Sequence, residues 1–223
     1  MTIHKPKGNM YKWITGIWNP IQGRCPHNCS YCYMQRFWNM NNSTCQVLKE
    51  KYLNDNFGEN QTYFVCDSTD MFAWDVPKEW IERVLEHCCK YPKNTYLFQT
   101  KNPERFKAFK YSFPPKTILG TTIETNRDID ISKAPQPYLR YVHINTVGDN
   151  FRKMVSIEPI MDFDYGDLLL MMEVIKPEFV SIGADSKNSN LPEPSKENIE
   201  NLIRELKKFT KVKLKDNLRR LMK

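Results

Sequence analysis

Short apolar runs that alternate with helical patterns restrict the folds open to this sequence. Runs of β-branched and aromatic residues separated by helical segments are typical of βα units around a parallel sheet. The predicted strands are Trp13–Trp18, Thr62–Cys66, Thr95–Thr100, Thr117–Ile123, Met154–Ile157 and Phe179–Ile182, with a shorter candidate at Val212–Leu214. We therefore predict an α/β fold, a partial (βα)6 TIM-like barrel with parallel strands, in which chemistry collects at the carboxyl ends of the strands.

The clearest helix begins near Asp75, a candidate N-cap, and ends before Pro92. Its apolar face consists of Trp80, Ile81, Val84, Leu85 and Cys88. Shorter helices are predicted over Asn102–Phe109, Gly166–Ile175 and Ser195–Leu206. The stretch 127–151 contains two prolines and little periodicity, so no element is predicted there.

The formal charge of +7 is confined to the C-terminus. Residues 207–223 contain eight basic side chains and one acidic side chain, which leaves 25 of each among the preceding 206 residues. We expect residues 1–206 to form the barrel and 207–223 to form a basic strand or helix packed on it. Such a terminus attracts polyanions, so DNA or RNA is a candidate partner. The alternative is a solvated helix that packs Leu214, Leu218, Leu221 and Met222 against the body.

Composition excludes several classes of protein. With 40% hydrophobic and 26% charged residues, the chain is neither disordered nor of low complexity. Its apolar runs are far shorter than the ~20 residues of a membrane span, and its first residues lack the apolar stretch of a signal peptide. We therefore expect a cytoplasmic protein without a membrane partner, whose seven cysteines are reduced.

Three cysteines follow the first predicted strand within one loop. Cys25, Cys29 and Cys32 have the spacing C-x3-C-x2-C. Thiolates at this density bind iron–sulfur clusters or zinc, and three of them leave one iron of a [4Fe–4S] cluster open to an outside ligand. Zinc is the alternative, because His27 could complete a set of four ligands, although the repeated C-x2-C pairs of a zinc knuckle are missing.

The cysteine loop resembles that of the radical S-adenosylmethionine (SAM) superfamily, where an aromatic residue, here Tyr31, precedes the last cysteine. Other segments are similar to a phage-associated branch, the Gp37/Gp68-like family of unknown function. They are residues 18–20, 68–72, 99–103, 122–124, 157–160 and 183–187. Many members of that family space the first two cysteines more widely, which places this chain in a subgroup. The chain also resembles, more distantly, spore photoproduct lyase, a radical SAM enzyme of DNA repair.

This resemblance implies a radical SAM type of barrel with two cofactors, a [4Fe–4S] cluster and SAM. Cys25, Cys29 and Cys32 would bind the cluster, and the methionyl amine and carboxylate of SAM would bind its open iron. An external one-electron donor of the flavodoxin or ferredoxin type would drive reductive cleavage of SAM. The resulting 5′-deoxyadenosyl radical would abstract a hydrogen atom from the substrate.

The resemblance also assigns cofactor contacts to strand ends. Tyr31 would lie against the cofactors, and Asp67 or Ser68 would accept from the methionyl amine. Thr122 and Glu124 would hold the ribose hydroxyls. Gly183 would let the adenine approach the backbone, with Asp185 near the rim.

Three further side chains are candidate catalytic residues. Lys101, on the same side of its strand as Gln99, would need an anion such as the methionyl carboxylate or a substrate phosphate, or would emerge into solvent. Glu158 would contact substrate or serve structure, and Lys101 could pair with it or with Glu124. Cys66 would return a hydrogen atom to a product radical, as a cysteine does in the photoproduct lyase, or pack as a small apolar residue. Cys45, Cys88 and Cys89 fall on helical patterns and are expected to be core or surface thiols.

Three functions remain open on the sequence. The first is a radical SAM enzyme that modifies or repairs a nucleic acid. The second is the same chemistry on a peptide, protein or small metabolite. The third is a non-catalytic, metal-stapled nucleic-acid-binding module. Polar residues at nearly every strand end favour the enzymes.

Overall fold

The computed structural model describes residues 2–223 and contains one seven-stranded parallel sheet. Its strands are β1 Gly16–Trp18, β4 Thr62–Val65, β5 Thr95–Thr100, β6 Thr117–Thr122, β7 Arg152–Ile157, β8 Phe179–Ile182 and β9 Lys211–Leu214. They pair in parallel in that order. The predicted α/β fold is confirmed, and the sheet is consistent with a partial TIM-like barrel.

Helices and a small second sheet complete the structure. The helices are α1 Gln35–Met40, α2 Lys78–Cys89, α3 Pro137–Asn145, α4 Tyr165–Ile175 and α5 Lys196–Leu206. Shorter 3-10 helices cover Glu50–Asn54, Pro103–Phe109 and Asp216–Leu221. Strands β2 Ile21–Gly23 and β3 Gln46–Leu48 pair antiparallel on either side of the cysteine loop. Among residues 2–223, no helix combines the length and apolar character needed to cross a bilayer.

The two faces of the main sheet are packed by different parts of the chain. Successive side chains of a strand point to opposite faces. On one face the helices contribute Ile81 and Leu202 to the larger hydrophobic core. The other face, called the inner face here, is covered by the N-terminal segment, whose Tyr11 and Ile14 pack with Phe64 and neighbouring apolar residues. The N-terminal segment therefore closes part of the space where polar strand-end residues collect.

Several local predictions need correction. Helix α2 begins after Pro77 and has no side-chain cap, because Asp75 precedes the first turn by too many residues to reach its N–H groups. A helix, α3, occupies the stretch where none was predicted; Pro137 starts it, but its buried Arg140 disrupts the amphipathic pattern. Cys45 is exposed in the bend before β3, not on a helix. Ser195 does cap α5, accepting from the backbone N–H of Asn198 at 3.2 Å.

The basic terminus is a strand followed by a 3-10 helix. Strand β9 extends the sheet beside β8, and Leu218 of the 3-10 helix is buried. Leu214 is 46% exposed, contrary to the packing expected for a helix, because it ends a strand at the edge of the sheet. The basic residues of this segment consequently point in different directions and do not form one helical stripe.

Candidate cofactor and active site

The cysteine loop is held in place from both of its flanks. Gly23 ends β2 at φ 109°, and a Cβ there would collide with the carbonyl of Cys45, so the turn into the loop requires glycine. Farther along, the N–H of Ser30 donates to the carbonyl of Ile131 at 2.8 Å, and the N–H of Lys133 donates to the carbonyl of His27 at 2.7 Å. Backbone contacts from a distant segment thus support the loop.

The three cysteines of the loop open onto one cavity of about 140 Å³, called the cysteine cavity here. It is lined by Cys25, His27, Cys29, Cys32, Met34, Trp38, Phe64, Cys66, Asp67, Ser68, Thr69, Asp70, Gln99, Thr100, Lys101 and Thr122. These residues come from the cysteine loop, from helix α1 and from the carboxyl-terminal parts of β4, β5 and β6 with the residues that follow them. The structure therefore brings most of the predicted site residues to one place.

The donor set suits an iron–sulfur cluster. Burial raises the pKa of Cys25 to about 12 and also raises that of Cys32, so a cation in the cavity would be needed to stabilise their thiolates. A [4Fe–4S] cluster bound by three cysteines takes one thiolate at each of three irons, so the cysteines surround a cavity instead of meeting at a point. Within residues 2–223, no three His, Cys, Asp or Glu side chains converge on a single metal-ion position. Three thiols around one cavity are a donor set that such a cluster would take.

Asp70, which the sequence analysis did not single out, joins the cysteine loop to β5. Its Oδ2 contacts Nε2 of His27 at 2.8 Å and accepts from the Thr100 hydroxyl and the Lys101 N–H, each at 2.8 Å. Its Oδ1 accepts from the N–H of Phe72 at 2.9 Å. Burial opposes ionisation, but His27 and these hydrogen bonds lower the pKa of Asp70 overall. Asp70 therefore stays charged and fixes His27 relative to Lys101.

Glu124 lies at the centre of a buried ionic network beside the cysteine cavity. Its Oε1 accepts from Tyr31 Oη and Lys101 Nζ, and its Oε2 accepts from Arg140 Nη1 at 2.6 Å. Lys101 also donates to the Tyr31 hydroxyl at 2.6 Å. Burial alone would raise the pKa of Glu124, but Arg140 and Lys101 lower it to about 2. Lys101 thus pairs with Glu124, one of the two partners foreseen for it.

This network has two consequences for the predicted site. Both oxygens of Glu124 already accept from protein groups and the side chain is 0% exposed, so ribose hydroxyls could reach it only if Lys101 or Tyr31 moved. Two cations against one carboxylate leave a formal excess of one positive charge. Lys101 lines the cysteine cavity, so this excess favours an anionic group there.

Glu158, at the end of β7, lies in different surroundings. It accepts from Asn9 Nδ2 at 2.8 Å and pairs with Lys215 Nζ at 3.1 Å. Burial raises its pKa, and Lys215 offsets only part of the effect. A Cβ on Gly183 would lie 2.7 Å from the Glu158 carboxyl carbon, so the missing side chain makes room for Glu158 and not, in this structure, for an adenine. Glu158 and Gly183 do not line the cysteine cavity.

The end of β4 carries the most unusual backbone of the site. Cys66 is buried and has a φ of 59°. Residues other than glycine rarely adopt this left-handed backbone conformation, which recurs at functional sites. Burial raises the pKa of its thiol, which therefore keeps its proton. Asp67 follows, accepting from Asn19 Nδ2 at 2.8 Å and from Tyr33 Oη at 3.3 Å, and burial raises its pKa. Ser68 lines the cavity beside it.

The remaining predicted residues fall inside and outside the site. Thr122 lines the cavity and accepts from Gln99 Nε2 at 3.0 Å, so the neighbouring strand ends face each other as alternation requires. Asp185 is instead turned onto its own loop, where its carboxylate accepts from the backbone N–H groups of Lys187 and Ser189. Asp185 therefore organises the loop after β8 and does not line the cavity.

Sequence reasoning missed several residues that organise the site. Asp70 stands in the polar run after β4, where its position offered a signal. Arg140 lies on a helix with little periodicity, and Asn9 and Tyr11 precede the first strand, so nothing local pointed to them. The Tyr11 hydroxyl donates to Gln99 Oε1 at 2.8 Å and lies 3.1 Å from the Ser156 hydroxyl, so Tyr11 reaches across the inner face.

Comparison with solved structures supports the fold. Spore photoproduct lyase complexed with dinucleoside spore photoproduct, and a substituted form of it with bound AdoMet and the same photoproduct, each match with a TM-score of 0.67 at 12% identity. Each match covers 93% of this chain and 78% of that chain. No curated protein matches the sequence. A family model described as a protein of unknown function, DUF5131, matches residues 9–186, and the chain therefore belongs to that family.

Proposed function

We propose that this protein is a radical SAM enzyme. The observation that carries the proposal is the cysteine cavity, where Cys25, Cys29 and Cys32 meet the carboxyl ends of β4, β5 and β6. The fold shared with spore photoproduct lyase, a protein described with bound AdoMet, supports it. We further propose that it belongs to the phage-associated branch of the radical SAM superfamily.

The residues around the cavity have separate roles in this proposal. When bound, a [4Fe–4S] cluster with one open iron supplies the electron that cleaves SAM to methionine and a 5′-deoxyadenosyl radical, once an external donor has reduced it. Lys101, supported by the positive excess beside Glu124, attracts the methionyl carboxylate. Asp67 and Ser68 accept from the methionyl amine, and Thr122 faces the ribose. Glu124 acts by holding Lys101 and Tyr31 in place.

The substrate radical requires a hydrogen source. Cys66 retains its S–H because burial raises its pKa, and it lines the same cavity as the three cysteines. Transfer of that hydrogen atom to a product radical leaves a thiyl radical, which an electron from the external donor and a proton restore to the thiol. We propose a nucleic acid as the substrate, because the basic terminus favours polyanions.

Anaerobic reconstitution with iron and sulfide tests the proposal. We expect wild-type protein to bind a brown cluster and, once reduced, to release 5′-deoxyadenosine from SAM. The variant C25A/C29A/C32A should bind no iron, whereas the matched control C45A/C89A, which removes two exposed thiols, should bind as much as wild type. Iron retained by the triple variant, or stoichiometric zinc without iron in wild type, would contradict the proposal.

A further inference from the structure

A second and larger cavity lies between the N-terminal segment and strand β9. Its volume is about 340 Å³, within the range of about 300–1,000 Å³ typical of ligand sites. It is lined by Gly8, Asn9, Met10, Tyr11, Lys12, Trp13, Ser181, Lys213, Leu214, Lys215 and Asp216. We call it the lysine cavity, because three of these residues are lysines and only one is acidic.

The three lysines differ in how they are neutralised. Lys12 pairs with Asp216 at 3.0 Å, and Lys215 pairs with Glu158 at 3.1 Å. Within residues 2–223, Lys213 has no carboxylate at salt-bridge distance. Its Nζ lies instead 4.8 Å from the ring centroid of Trp13 and 4.3 Å from that of Phe179. Lys213 is therefore a half-buried cation without a counter-ion.

The charges around Lys213 strengthen this conclusion. Burial lowers the pKa of Lys213, and the nearby cations Lys211 and Arg152 lower it further. The negative charge of Glu178 raises it, but not enough to reverse the shift. Glu178 is itself engaged by Arg152, at 2.6 Å. An anion placed beside Lys213 would relieve the local excess of positive charge.

The wall of the cavity is aromatic on the side of the N-terminal segment. Tyr11 and Trp13 stack with ring centroids 5.4 Å apart, and the indole N–H of Trp13 has no acceptor among residues 2–223. A cation beside aromatic rings is the combination with which proteins hold single-stranded nucleic acids, since the cation meets the phosphate and the rings meet the sugar or base. The cavity thus places a cation for the phosphate beside a partly exposed Trp13 ring, whose surface not covered by Tyr11 and Lys213 would meet the sugar or base.

One hydrogen bond joins the wall of the lysine cavity to the wall of the cysteine cavity. Tyr11 lines the lysine cavity, and its hydroxyl donates to Gln99, which lines the cysteine cavity. We propose that the lysine cavity binds one nucleotide of a single-stranded nucleic acid, with its phosphate at Lys213 and its sugar or base against Trp13. This inference rests on the proposed function only for the role of the site, which is to hold the nucleic acid next to the cysteine cavity. The binding site itself is separate from that cavity.

Binding of fluorescent single-stranded DNA and RNA of about twelve nucleotides to the full-length protein, followed by polarisation, tests the inference. K213Q should weaken binding about tenfold and reduce the log–log salt slope by about 0.7, the value for one phosphate contact on a single strand. K213R should restore much of the affinity. The control K207Q removes an exposed charge from the same basic terminus and should change binding little.

A second pair of variants examines the aromatic wall. W13L should weaken binding about tenfold by removing the ring, whereas W13F should retain most of it. Thermal unfolding of each variant shows whether the fold is intact. If W13L unfolds, K213Q still tests the inference, because Lys213 is half-buried and has no ion-pair partner among the described residues. Equal affinity and salt slope in K213Q and wild type would overturn the inference, as would equally tight binding of polyglutamate. Because binding is measured without SAM, a failure here is distinct from a failure to cleave SAM.

Discussion

Two carboxylates at the ends of neighbouring strands, Glu124 after β6 and Glu158 after β7, show how partners decide the state of a buried acid. Both are withdrawn from water and both have a lysine at ion-pair distance. Glu124 has Arg140 in addition, and its pKa falls to about 2, whereas the pKa of Glu158 rises above its ordinary value. Burial penalises both charges, so the second cation makes the difference. Equivalent positions in a barrel therefore need not serve equivalent functions.

The largest effect that distinguishes the two sites should follow from replacing Glu124. In E124Q, Lys101 and the buried Arg140 lose their counter-charge, and loss of one partner of a buried ion pair costs about 3–5 kcal/mol. We expect the free energy of unfolding, measured with urea, to fall by that amount. A fall of less than about 1 kcal/mol, the range of an exposed pair, would show that the network is not the support inferred here.

The pH dependence of stability should separate the sites next. A carboxylate whose folded pKa is near 2, below its unfolded value of 4.5, stabilises the fold above the unfolded pKa and loses that contribution as the pH falls toward 2. For Glu124 the loss is about 3 kcal/mol. The difference in unfolding free energy between wild type and E124Q should therefore shrink by about 3 kcal/mol between pH 6 and pH 2. A constant difference would contradict the assignment.

Glu158 should behave in the opposite sense and more weakly. Its folded pKa is raised, so the folded state holds the proton more tightly and stability falls as the pH rises through that pKa. E158Q removes this penalty but also the partner of Lys215, and we expect a net change of about 1 kcal/mol or less at neutral pH. Urea unfolding at neutral and acidic pH measures it, and a cost as large as that of E124Q would erase the contrast.

The smallest effect concerns the tyrosine of the cysteine loop. Y31F removes one donor to Glu124 while leaving Lys101 and Arg140 in place, and a single hydrogen bond to a charged group contributes about 1.5–3 kcal/mol at most. We expect the free energy of unfolding of Y31F to fall by about 1.5 kcal/mol or less, because Lys101 and Arg140 still neutralise Glu124. Thermal unfolding of Y31F beside Y33F, whose tyrosine bonds the more exposed Asp67, provides the comparison.

Much of the architecture could be predicted because strands and helices leave local signals. The strands at Thr95–Thr100 and Phe179–Ile182 were predicted at their observed bounds, since β-branched and aromatic runs have short-range causes. Helix α3 was missed because a buried arginine replaces the apolar residue that periodicity needs. Alternation alone placed Gln99 and Lys101 on the same side of their strand, and the structure shows that they contact Thr122 and Glu124 there.

By itself, the sequence determined the order of the strands, the cysteine spacing and the placement of polar groups at the strand ends. Only the tertiary structure decided which charges meet. Lys101 could have paired with Glu124 or Glu158, and the structure joins it to Glu124 while Lys215, from the far edge of the sheet, takes Glu158. Spacing and alternation act over a few residues, whereas the pairing of buried charges depends on contacts between separate segments, 23 residues apart for Lys101 with Glu124 and farther for Lys215 with Glu158, about which local pattern carries no information.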